Sequence, residues 1–189
     1  MDDTRVKAAS GLKLVFIGQI ILIVSAALAC LSSISPVVTL LFVITDGAAL
    51  LVSAVGLVMA MKAHDGYRTA LFFTLVVLVM DVLAALTAGW VYILLRAVAP
   101  IVAYMGIAYV CDATAALCPR DRDLKELEGK VRSLYLGCSA IGLLCYALLL
   151  VSAISDMGGF MMLASHVVQI IGVCYFMYFL SRGRKALGK

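Results

Sequence analysis

Six long apolar runs, separated by short breaks, constrain this chain more than any other feature. They occupy residues 12–31, 37–61, 69–88, 90–117, 131–155 and 160–180. Each is long enough to cross a hydrocarbon core of about 30 Å at about 1.5 Å per residue. Lipid offers no partners for backbone N–H and C=O groups, so each run has to be a helix. What remains cannot cover a water-facing surface, because 65% of the 189 residues are hydrophobic and only 14% are charged. A soluble domain carries about 45–50% apolar and about 25% charged residues. The balance excludes a soluble enzyme, a nucleic-acid-binding domain, a disordered chain and a disulfide-stapled secreted module. The expected fold class is an all-α integral membrane protein, a single six-span membrane domain of three hairpins.

The breaks carry turn chemistry. Pro36 suits the first turn of the second helix, after a serine-rich break. Asp65-Gly66 lies in a polar turn between spans two and three. Only Thr87, Ala88 and Gly89 divide spans three and four, and one helix across both would be too long for a bilayer. A tight turn at Gly89 is therefore expected. Asp156, Met157, Gly158 and Gly159 supply the last short turn.

Basic residues test the span count independently. Fourteen of the fifteen Lys and Arg fall on one face in a six-span threading: near the N-terminus, between spans two and three, between spans four and five, and in the tail. The other face has none, and Arg96 lies inside a span. Positively charged loops stay in the cytoplasm, which predicts cytoplasmic N- and C-termini in an inner or plasma membrane. The basic start and Ala27-Leu28-Ala29 before Cys30 also resemble a cleavable leader. Small residues are ordinary in a packing span, so we expect the segment to be retained.

The longest polar stretch, residues 119–132, reads as a cytoplasmic charged helical extension of span five. Pro119 suits its first position, and Asp121/Lys125, Arg122/Glu126 and Glu126/Lys130 are i,i+4 pairs of opposite sign. It serves as a solvated anchor or as a docking handle for a membrane or cytoplasmic protein. Small residues mark close helix contacts: Ala49, Ser53, Gly56 and Ala60 form one stripe, and Gly18, Ser25 and Ala29 another. Trp90 and Tyr92 are expected at the outer interface, and Tyr67, Tyr135, Tyr178 and Phe179 at the inner one. Asp112 is expected to reach the inner interface.

Ionisable groups in lipid are costly and ask for a partner or a purpose. Four stand out: Asp46, Asp81, Arg96 and His166. Asp81 lies eight positions before Gly89 and Arg96 seven after it, so the two are level on antiparallel helices. Asp46 and His166 fall at similar depth, roughly 10–15 Å below the external surface. Gln169 sits one turn below His166. An Asp81–Arg96 ion pair is expected to lock the second hairpin. A second pair between Asp46 and His166 would account for the remainder. The functional alternative is an outward-facing polar pocket in which Arg96 meets an anionic group, or the carboxylates meet a cation or proton. Tyr104 and Tyr146 fall near mid-membrane, packed in the core or flooring that cavity.

No catalytic, metal-binding or phosphate-loop motif appears, so neither enzyme chemistry nor a cofactor is expected. Six spans in a chain of this length, with cytoplasmic termini, is similar in size and threading to the substrate-binding S components of energy-coupling-factor transporters. That family carries an AxxxA pattern in its first helix, and residues 14–22 here have no such alanine pair. The likeness is one of architecture. The sequence thus points to binding or transport of a small solute at Asp46, Asp81, Arg96, His166 and Gln169. A non-catalytic structural or assembly subunit is the alternative.

Overall fold

A computed structural model describes residues 3–31, 35–149 and 158–188. It contains six helices: α1 (Asp3–Leu31), α2 (Pro36–Ala60), α3 (Asp65–Leu86), α4 (Trp90–Leu117), α5 (Arg122–Leu149) and α6 (Gly158–Leu187). Each is long and apolar enough to cross a membrane, so the chain is an all-α, multi-pass membrane protein. The helices stand in a ring in chain order, each packed on its sequence neighbours, with α6 returning to α1. One end of the ring carries the α1–α2, α3–α4 and α5–α6 connections and is called the turn end. The other carries both termini with the two remaining connections and is called the terminal end.

Local chemistry sets the helix starts. Ser35 caps α2 by accepting from the Val37 N–H at 3.3 Å, with Pro36 in the first turn. His64, unassigned by the sequence reading, caps α3 through Nδ1, which accepts from the Gly66 N–H at 3.0 Å. Gly89 makes the tight turn before α4 with φ of +66°, a conformation that side chains with a Cβ rarely adopt. Pro119 is not helical: Asp121 Oδ1 accepts from the Leu124 N–H at 3.0 Å, and the helix starts at Arg122. From there α5 runs unbroken through Gly129, merging the charged extension with the span. Asp156 and Met157 lie outside the described residues, and Gly158 and Gly159 already belong to α6.

The closest approach in the ring is the α1–α2 seam. Gly11 and Gly18 on α1, seven residues apart, face the Ala49, Ser53, Gly56 and Ala60 stripe of α2. A Cβ on Gly11 would collide with the Gly56 carbonyl, and one on Gly18 with Ser53 Oγ and the Ala49 carbonyl. Glycine here lets two backbones touch, which is how dispersion holds helices together in lipid. The outward faces are apolar, with Leu40, Ile44, Val55, Phe72, Val79 and Leu86 exposed as a bilayer-facing surface requires.

The terminal half of the ring is filled. Leu12, Leu57, Tyr67, Val131, Phe176, Phe179 and Leu180 pack there in one cluster. Three aromatic residues expected at the interface are therefore core residues: Tyr67, Tyr135 and Phe179 are buried. The reason is helix length. α1 begins at Asp3 and α6 continues to Leu187, and these overhangs enclose side chains that a span-length helix would leave at the headgroups. The Tyr67 hydroxyl meets Thr114 Oγ1 at 2.9 Å, and Thr114 donates onward to the Val110 carbonyl at 2.7 Å. Trp90 and Tyr178 do face outward, at 68% and 54% exposure. Asp112 is tied to Arg132 of α5 at 2.6 Å, and Arg132 also meets Glu128 at 3.3 Å. Lys130 and Glu126 form the anticipated i,i+4 pair at 2.5 Å.

Candidate functional site

The centre of the ring opens toward the turn end. A cavity of about 70 Å³ opens between all six helices. Its walls include Asp46 and Phe42 of α2, Asp81 of α3, Arg96 and Pro100 of α4, Tyr146 of α5, and His166 and Gln169 of α6. All five residues expected to form a site from their depth alone are brought to one cavity.

The pairing within it differs in part from expectation. Arg96 Nη1 donates to Asp81 Oδ1 at 2.9 Å, the anticipated pair across the α3–α4 hairpin. The same Nη1 lies 3.7 Å from Asp46 Oδ2, so one guanidinium serves two carboxylates. Asp46 does not pair with His166. Its Oδ1 accepts from Ser25 Oγ of α1 at 3.2 Å, and His166 packs edge-on against the Phe42 ring with centroids 6.2 Å apart. The physical reason is reach: Arg96 is long enough to bridge from α4 to α2, and it also lies over the Phe42 ring, 5.2 Å from its centroid. The guanidinium also lies over the ring of Tyr92, a residue expected at the outer interface, 5.9 Å from its centroid.

Through the shared Nη1, Asp46 and Asp81 are held close to each other. The cluster thus holds two carboxylates, one guanidinium and an imidazole in a largely buried setting. Side chains of Asp46, Asp81 and Arg96 are 11–13% exposed. With both carboxylates ionised and His166 neutral, one negative charge is uncompensated. Low dielectric makes such a surplus costly, so the arrangement favours one further positive charge.

Three participants were absent from the sequence reading as site residues. Ser25 was assigned to packing, yet its hydroxyl holds Asp46. Pro100 sits inside α4 one turn after Arg96 and has no N–H for the Arg96 carbonyl. Its own carbonyl accepts from Ser139 Oγ of α5 at 3.0 Å. Tyr135 reaches the cavity from α5. A proline inside an apolar run was the readable signal. Tyr104, by contrast, does not floor the cavity; it lines a separate groove beside Gly129 and Arg132.

No protein-family model matches this chain, and no curated protein or solved structure shows significant similarity to it.

Proposed function

We propose that this multi-pass membrane protein binds a small cation, the proton included, in the central cavity and passes it across the bilayer. The single observation that carries the reading is the sharing of Arg96 by Asp46 and Asp81 inside a cavity walled by six helices. Both carboxylates engage Arg96 through Nη1, and an anion at its buried, unpartnered Nε would add to their surplus negative charge. Their surplus charge instead calls for a proton held between them or for a bound cation. Size points the same way, since about 70 Å³ accommodates a few waters and falls well short of the roughly 300 Å³ of a drug-sized ligand pocket. His166 and Gln169 complete the polar wall. The distribution of Lys and Arg supports cytoplasmic termini in an inner or plasma membrane, so that the cavity faces outward.

The second reading is a structural or assembly subunit. The 2.9 Å Asp81–Arg96 bond and the stacking of Arg96 on Phe42 favour it, because both fix helices without any ligand. In that reading residues 119–132 form the docking surface for a partner protein. Flux into liposomes containing the purified chain separates the two. Under an imposed proton or alkali-cation gradient, the cation reading expects flux that falls about tenfold or more in Asp46→Asn, which keeps an acceptor for Ser25. Wild-type chain that moves no cation, with an Asp46→Asn variant at least as heat-stable, is the outcome of the structural reading.

A further inference from the structure

Below the charged cavity, toward the terminal end, lies a second chamber of about 60 Å³. Gln19 of α1 and Ser53 of α2 line it, and both are more than nine-tenths buried, at 8% and 4% exposure. Gln19 Oε1 and Ser53 Oγ have no hydrogen-bond partner among the described residues. Buried polar atoms are otherwise paired almost without exception, because an orphan forfeits its hydration with nothing in return. Two neutral oxygens in a space roomy enough for water call for a polar occupant.

The chamber stands in line with the charged site. Ser53 follows Asp46 by seven residues along α2, which sets the two levels about 10 Å apart. Leu22, Leu50, Val77, Ala103 and Tyr135 line both spaces, one from each of α1 to α5, and so form the partition between them. A partition whose side chains are apolar but for one phenol blocks ions by dewetting when narrow and admits them when it widens.

We infer that the deeper chamber is a second, uncharged station for the same small cation, where Gln19 Oε1 and Ser53 Oγ replace part of its water shell. Leu22, Leu50, Val77, Ala103 and Tyr135 are the gate between the stations. The inference rests on the cation reading of the charged cavity. Neutral oxygens suit a station from which the ion must leave, since they hold it less tightly than carboxylates do.

The test uses the full chain in liposomes, with proton flux read by an entrapped pH dye and alkali-cation flux by an ion-selective dye. Gln19→Leu and Ser53→Ala are expected to cut flux about tenfold or more, the equivalent of one or two lost polar contacts. The midpoint of thermal unfolding should keep its wild-type response to pH or salt, because the charged station is intact. Leu50→Ala is expected to raise flux several-fold, a gain that misfolding cannot mimic. Which dye responds distinguishes proton from alkali cation. Wild-type rates in Gln19→Leu and Ser53→Ala overturn the deeper station and leave the cation reading standing. Wild-type chain that moves neither ion overturns both. Unfolding midpoints that rise in both variants also overturn the station, because they show that removing two truly orphaned atoms relieved the fold.

Discussion

The two halves of this bundle solve the problem of a ring's centre in opposite ways. Toward the terminal end, beyond the deeper chamber, the centre is filled by Tyr67, Phe179, Leu180 and Leu12, and Tyr67 and Thr114 satisfy each other. Toward the turn end the centre is left open and lined by two aspartates, an arginine and a histidine. The same six helices build both halves, so the difference lies in side chains and not in topology. In lipid, close packing rather than water exclusion rewards a filled centre, and a hollow charged one forgoes that reward. The contrast teaches that the hollow half is specified by electrostatics and the filled half by shape.

The comparison can be broken most forcefully at Arg96. Arg96→Leu strands two carboxylates in a low-dielectric cavity and should cost about 3–5 kcal/mol, while the triple change with Asp46→Asn and Asp81→Asn should recover most of it. Unfolding in mild detergent would read both; losses that simply add would mean that the three side chains do not act as one unit. A smaller effect separates two glycines. Gly11→Ala, pressed against the Gly56 carbonyl in the filled half, should cost about 1–3 kcal/mol through overpacking. Gly47→Ala, beside Asp46 with nothing within 4 Å of the new methyl, should gain up to about 1 kcal/mol of helix propensity. Equal responses would show that the halves are not packed differently. The smallest effect is Tyr67→Phe, which removes the bond to Thr114 at a cost of about 0.6 kcal/mol, the average for hydrogen bonds between membrane helices. A larger loss would move Tyr67 from shape-filling to network-holding.

How much of this was legible beforehand depended on whether depth or rotation was being asked. Depth follows from counting residues away from a turn, so the sequence alone pairs Asp81 with Arg96 across Gly89. Rotation about the helix axis does not follow, because each residue turns by about 100° and span edges are soft by a residue or two. That is why Asp46 was matched to His166, when the longer reach of Arg96 claims it. The α1–α2 stripe was readable from its spacing, but Gly11 lay outside the assumed span and was missed. Tyr67, Tyr135 and Phe179 were misplaced for the same reason: hydropathy marks where lipid begins, not where a helix ends. The deeper chamber could not be read at all. Gln19 reads as a polar group near the midplane and Ser53 as part of the small-residue stripe, but that both face one space without a partner follows only from the fold.

The chain-order ring has a consequence for how the protein reaches the membrane. Synthesis delivers N-terminal segments first, and every helix after the first can dock on a neighbour already made. Asp46 arrives on α2 with Ser25 of α1 waiting for it. Asp81 arrives unpaired, and a lone carboxylate at the centre of a helix costs about 2.5–3.5 kcal/mol to insert, until Arg96 emerges one helix later. Insertion of α3 and α4 as a single hairpin cancels that cost within one event. Only α6 must also find α1 across the nascent assembly, so the cavity acquires the wall that carries His166 and Gln169 after the other five.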